Sequence, residues 1–354
     1  MKKKIVYYNI FNNNKGTFNM KILFIFTGGT IGSTTGDEFI SLEKGKPYKI
    51  IKAYEEKFGI DFSYETLEPY TLLSENSMGS NMKVLAGTVK GNLEKDYDGI
   101  IVTHGTDTLQ YSGALLSYVT GLSKLPVCIV SSDKPIEDPE ANGLYNMDAA
   151  VALIRESLTD KSIRGTFVPY RNKDKVTYIN RGSRMLSSYA YSADMYSLGD
   201  KYFGIYDGKK LVKNDSYSEK EDAALPLAAD GFEETADMLL RIDPYPGMVY
   251  PEVDEKIKAV ILGTYHSGTL PMETKGLKEF LLKLKEKNID VFITGAGEGI
   301  SYESTKDYNI LNVRKIEGIA PIAIFIKLWM ILSMETKNGD LLYNALNSPL
   351  GGEI

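Results

Sequence analysis

Residues Lys21–Phe26 read KILFIF and run straight into Thr27-Gly28-Gly29-Thr30-Ile31-Gly32-Ser33. A short, almost continuous apolar run is the pattern of a strand buried on both faces, and two adjacent glycines after it mark a tight loop. The same grammar returns downstream. Gly99–Thr103 (GIIVT) is followed by His104-Gly105-Thr106-Asp107-Thr108-Leu109, and residues 126–131 (PVCIVS) form a third apolar run. Helical spacing of apolar residues is expected over Lys49–Phe58, 81–93, 107–122 and 141–158, with strands at 166–170 and 176–180. Strands alternating with helices predict a parallel α/β sheet covered on both faces.

Residues 210–231 are polar, carry a mixed charge cluster at 216–222, and show no apolar periodicity, so an interdomain linker is expected there. A second α/β pattern follows, with strands at 259–264 and 290–294 and helices at 274–287 and 320–333. The expected organisation is an extension over 1–19, a larger N-terminal parallel-sheet domain over 20–212, a linker over 213–235 and a smaller C-terminal α/β domain over 236–354. A length of 354 residues agrees with two domains of roughly 150 residues each.

Composition removes several function classes. Lysine and arginine number 41 against 47 acidic residues, a net charge of −6, which offers no field for nucleic acid or an anionic membrane. The single cysteine, Cys128, lies inside an apolar run and reads as a buried, inert thiol. His104 and His266 are isolated from any cysteine cluster, so no zinc site is expected. The apolar run 319–332 contains Lys327 and is too short to span a bilayer. The N-terminal Met1-Lys2-Lys3-Lys4 and Ile5-Val6-Tyr7-Tyr8 start like a signal peptide, but Asn9, Asn12, Asn13, Asn14 and Lys15 interrupt it and no cleavage site follows. Met20 offers an alternative start, and a cytoplasmic location is expected.

In an open α/β sheet, ligands bind beyond the carboxyl ends of the strands. The Thr-Gly-Gly-Thr turn can present backbone amides to a developing oxyanion or a carboxylate. It matches neither a dinucleotide fingerprint nor a phosphate-binding P-loop. Taken singly, Asp107 is explained by a helix dipole and Thr106 by a helix cap. Two Thr- and Gly-rich junctions in one sheet fit a shared crevice better, and a hydroxyl there can act as a nucleophile beside a base.

Together, Thr27-Gly28-Gly29-Thr30-Ile31-Gly32 and His104-Gly105-Thr106-Asp107-Thr108-Leu109 resemble the signature pair of the L-asparaginase family, with a layout similar to its type I, cytoplasmic branch. The likeness runs from Met20 to the end and includes Tyr245-Pro246-Gly247 and residues 260–271. It implies hydrolysis of the side-chain amide of asparagine, sometimes glutamine, with no metal or organic cofactor. It also implies an amino acid as the small-molecule partner, no nucleic acid, no membrane, and assembly as a homodimer or homotetramer. By motif match, Thr30 falls on the primary nucleophile, Thr106 on the second catalytic threonine, and Asp107 on the acid that holds the substrate ammonium. Gly29 belongs to the cradle, and Ser74-Glu75-Asn76 resembles the segment that grips the substrate's α-carboxylate and α-amino groups.

Two positions depart from the family pattern. Arg181-Gly182-Ser183-Arg184-Met185-Leu186 leads to Ser187 where the family has a lysine, and no lysine lies between Lys175 and Lys201. The loop after the first motif has Phe39 in place of the family's tyrosine, with Tyr48 the nearest phenol. Lys134 is a candidate to restore the missing ammonium. These departures keep open a catalytically weak or inactive homologue that binds an amino acid or a partner. An amidotransferase subunit acting on charged tRNA is disfavoured by the acidic balance and the lack of an added RNA-binding domain.

Overall fold

The computed structural model describes residues 20–29, 33–35, 40–42, 49–189, 191–228, 236–295, 302–334 and 339–354. The expectations for residues 1–19, Thr30, Phe39 and Tyr48 fall outside the described residues.

β1 is Lys21–Phe26, and its pleat explains why it is apolar throughout. Ile22, Phe24 and Phe26 point into one core and Leu23 and Ile25 into another, all of them buried. A strand covered on both faces needs apolar residues at every position. A short ribbon, β2 (Ser33–Thr35) with β3 (Ile40–Leu42), follows it. Next come α1 (Lys49–Phe58), β4 (Ser63–Leu67), α2 (Gly79–Lys90), β5 (Gly99–Thr103), α3 (Leu109–Thr120), β6 (Val127–Val130) and α4 (Gly143–Ser157). β7 (Thr166–Arg171), β8 (Thr177–Arg181), β9 (Gly204–Tyr206) and β10 (Leu211–Lys213) complete a sheet among the described residues in the order β10-β9-β8-β7-β6-β5-β1-β4. β4, β1, β5, β6 and β7 run parallel, and β8 to β10 continue antiparallel.

A second, all-parallel sheet runs β11 (Leu239–Ile242), β12 (Ala259–Leu262), β13 (Asp290–Ile293) and β14 (Val313–Lys315). α5 (Lys275–Glu286), α6 (Pro321–Met334) and α7 (Gly339–Asn347) accompany it. The expected class, a larger parallel-dominated α/β sheet with a smaller α/β partner, is the architecture observed.

α1 and α4 cover one face of the large sheet, and α2 and α3 the other. α3 also packs on α6, which in turn lies against β11, β12 and β13 through Leu239, Ile261 and Phe292. Caught between two layers, α3 has eleven of its twelve residues buried, at about 1.5–3 kcal/mol for each large apolar side chain. α6 is the apolar run containing Lys327; it is 14 residues long, and among the described residues no helix is long and apolar enough to cross a membrane.

Candidate functional site

The chain moves from β1 outward to β4, then crosses back over β1 to β5 and on to β6. The strand order therefore reverses between β1 and β5, and such a reversal opens a crevice at the strands' carboxyl ends. Both Thr- and Gly-rich turns leave the sheet there.

Backbone approach builds the site. Gly28 adopts φ +99° and bridges to Leu72. The Gly29 amide donates to the Leu72 carbonyl (3.1 Å), and the Leu72 amide to the Thr27 carbonyl (3.1 Å). Thr27 Oγ1 donates to the Thr103 carbonyl at 2.7 Å and so ties the end of β1 to the end of β5. Gly29 adopts φ +83°, and a Cβ there would lie 2.5 Å from Gly105 Cα. A Cβ on Gly105 would lie 2.7 Å from Ser74 Cβ. Glycine is required at both places because three loops meet with no room for a methyl group.

Ser74, 4% exposed, opens the short 3-10 turn Ser74–Asn76 and donates from Oγ to Asp107 Oδ2 at 3.2 Å. Thr108 Oγ1 donates to the Ser74 carbonyl at 3.0 Å. The structure thus brings Gly29, Ser74, Thr106 and Asp107 to one place, with the Asp107 carboxylate exposed and Thr106 half-buried. Glu75 is adjacent to Ser74 and exposed. α3 begins at Leu109, so Thr106 and Asp107 belong to the turn before the helix.

His104 is 3% exposed and holds this turn from behind. Its Nδ1 is 2.8 Å from the Gly105 carbonyl and its Nε2 2.8 Å from Ser112 Oγ. The carbonyl can only accept, so Nδ1 carries the proton and Nε2 accepts from Ser112. Burial pushes its pKa below the usual value, against smaller opposing effects of the Gly105 carbonyl and Asp107. A neutral, doubly bonded imidazole is a brace.

Lys134 makes ion pairs with Glu140 (2.7 Å) and Asp138 (3.5 Å). Ser187 lines a cavity with Arg184, Lys201, Lys220, Thr264 and His266. Among the described residues, no lysine or histidine hydrogen-bonds Thr106. Burial raises the Cys128 thiol pKa, so that residue stays protonated in the core. Among the described residues no group of side chains is placed to hold a metal ion. Leu72 and Ser112 are absent from the sequence candidates, and Thr108 stands in the His104–Leu109 motif without a role of its own. Only the second threonine of Thr106-Asp107-Thr108 carried a signal for any of them.

The family model "Asparaginase, N-terminal" matches residues 21–215, the span that contributes all of these loops. The chain belongs to the asparaginase family. Its members are amidohydrolases or asparaginase-like relatives of them. This asparaginase-family chain is 25% identical over 353 residues to a glutamyl-tRNA(Gln) amidotransferase subunit of Methanobrevibacter smithii, a match covering 94% of the chain and 76% of that relative. With the amidotransferase subunit of the same name from Aeropyrum pernix it is 26% identical over 261 residues, 70% of the chain but 58% of the relative, so that match spans less than two thirds of the longer protein. The thermostable L-asparaginase of Thermococcus kodakarensis superposes with a TM-score of 0.71 at 19% identity, over 95% of this chain and 99% of that one. That likeness establishes the fold.

Proposed function

We propose that the protein hydrolyses the side-chain amide of L-asparagine, with Thr30 as the attacking hydroxyl and Thr106 and Asp107 as its partners across the crevice. The observation that carries this reading is the meeting of Gly29, Ser74 and Asp107. An amino acid zwitterion needs an anion for its ammonium and donors for its carboxylate. Asp107 offers the first, held in place by the Ser74 hydroxyl, and the amides of Ser74 and Glu75 that open the turn offer the second. The amide carbonyl needs donors where negative charge develops, and the Gly29 amide is not among them, being bonded to the Leu72 carbonyl. Attack by the Thr30 oxygen forms a C–O bond as the C–N bond breaks, and the amine leaves as ammonia. Water then cleaves the ester, releases aspartate and restores the hydroxyl.

The reading includes a cytoplasmic, type I-like protein that assembles as a homodimer or homotetramer, acts without cofactor, and is divided into 20–212 and 236–354 by a linker at 213–235. Ser187 favours a second reading, a weak or inactive homologue that retains the amino acid cradle, because a threonine without a base is a poor nucleophile. The names of the curated relatives motivate a third, an amidotransferase subunit.

Ammonia release from L-asparagine by the purified protein, beside Thr106→Ala, tests the proposal. Turnover in the wild type, lost in the variant with the melting temperature unchanged, is the expected result. L-asparagine binding without turnover would move the protein to the second reading.

A further inference from the structure

Residues 350–353 lie far from the crevice in sequence yet are built into the N-terminal sheet's helical layer. The Gly351 amide donates to Asp222 Oδ1 (2.7 Å), whose other oxygen accepts from the Leu122 amide at the end of α3. Ser183 Oγ donates to the Gly351 carbonyl (2.8 Å), and Arg184 Nε to the Gly352 carbonyl (2.7 Å). Gly351 has φ +64°, and a Cβ there would lie 2.8 Å from the carbonyl carbon of Ser117. The Glu353 carboxylate is fully buried and accepts from Tyr118 of α3 and from Lys327 of α6. Lys327 also donates to the carbonyls of Leu346 (2.9 Å) and Ser348 (2.7 Å).

This clasp touches α3, whose first residues border the crevice, and the Gly182–Arg184 turn, which leads to Ser187 at the position where the family has a lysine. The 3-10 turn Gly182–Arg184 packs on α3 so closely that a Cβ on Gly182 would sit 2.7 Å from Ser117 Oγ. Beyond the turn, Met185 bridges to Ser197 and the Leu186 amide donates to the Tyr196 carbonyl (2.9 Å), which delivers the chain to Ser187. α3 itself starts beside Thr106 and Asp107. We infer that Glu353 is a positioning residue: by seating residues 350–353 against both α3 and the Gly182–Arg184 turn, it fixes the chain carrying Ser187 relative to the Thr106–Asp107 end. This inference rests on the hydrolase reading for its kinetic consequence, but not for its structural one.

Burial raises the Glu353 pKa, opposed by Lys327, and burial lowers that of Lys327, opposed by Glu353. A buried pair is a poor source of net stability, since desolvation offsets the attraction. What such a pair secures here is a unique seat, with the carboxylate and the ammonium each meeting partners from separate elements.

The test uses the full chain with Glu353→Leu, Glu353→Gln and Ser183→Ala. Ser157→Ala on α4 is the control, because it deletes a comparable buried hydroxyl-to-carbonyl bond on the opposite face of the sheet. Hydrogen exchange followed by mass spectrometry reads residues 182–187, and ammonia release reads kcat and KM. Glu353→Leu and Ser183→Ala are expected to speed exchange at 182–187 by about tenfold, beyond any change elsewhere, with the control unaffected there. Turnover in Glu353→Leu is expected to fall by about a hundredfold with KM nearly constant, and Glu353→Gln to recover most of it, since a displacement near 1 Å has that effect. Ser183→Ala decides the matter should Glu353→Leu not fold. Unchanged exchange at 182–187, or a rise spread evenly over the chain, overturns the inference. A wild type that releases no ammonia defeats the hydrolase reading alone, and the exchange arm still decides the clasp.

Discussion

Replacing Gly29 by alanine tests whether the crevice is built on backbone contact. Two costs combine. The first is conformational: φ is +83°, and an L-residue there costs about 1–2 kcal/mol. The second is steric: the new methyl would lie 2.5 Å from Gly105 Cα and 2.7 Å from the His104 carbonyl carbon. These are backbone atoms held by His104 and the β5–β6 ladder, and forced overpacking of that kind adds about 1–3 kcal/mol. Gly59 separates the terms. It has φ +78° at the end of α1, and a Cβ added there would meet nothing within 4 Å, so Gly59→Ala carries the conformational cost alone. Urea denaturation of the two variants should therefore differ by about 2 kcal/mol, with Gly29→Ala the less stable. Calorimetry with L-asparagine should show weakened binding only in Gly29→Ala. Equal losses in the two variants, or undiminished binding in Gly29→Ala, would refute the three-loop contact.

Other expectations follow from single residues. Ser187→Lys should raise ammonia release by about a hundredfold, the usual worth of a positioned base, measured as kcat; an unaltered rate would mean the chain after Arg184 does not reach Thr106. Arg181 is fully buried and pairs with Glu219, so Glu219→Gln should cost about 3 kcal/mol by urea midpoint; a loss below the noise would show that the Arg164 carbonyl and Tyr217 suffice. The folded pKa of His104 is lowered by burial, so the unfolded chain binds the proton more readily and the contribution of His104 falls as pH drops below about 6.5, by at most about 1.4 kcal/mol per pH unit. The stability difference between wild type and His104→Gln should shrink in that window and hold steady above it, as read from denaturation at pH 5 to 8; a pH-independent difference would contradict a neutral buried imidazole.

The central strands were legible because burial on both faces leaves a one-dimensional mark. KILFIF and GIIVT were read at their observed boundaries, as was α1. The peripheral strands were not. Ser63–Leu67 (SYETL) is an edge strand with one fully buried position, and β14 (VRK) is an edge with a single buried valine, so neither looks apolar. The loops of the crevice were legible as motifs, yet what joins them was not. Gly28 meets Leu72, and Gly29 meets Gly105, through main-chain atoms that any sequence possesses. The bond from Ser183 to Gly351 closes 168 residues of chain, a separation at which no local pattern survives. The charged stretch 216–222 shows the opposite difficulty, because Glu219 and Asp222 are engaged with Arg181 and Leu122 although the stretch reads as part of an interdomain linker.

α3 leaves its mark on biosynthesis as well. Its face toward α6 stays uncovered until residues beyond Pro321 have been made, some two hundred positions after the helix itself. At roughly 5–20 residues per second, that is about 10–40 s during which an apolar helix emerges from the ribosome with half its packing absent. The turn bearing Thr106 and Asp107 is anchored on that helix, so it stiffens late in translation. A nascent chain stalled between β10 and α6 would display the Tyr111, Leu115 and Tyr118 side of α3 to chaperones and proteases.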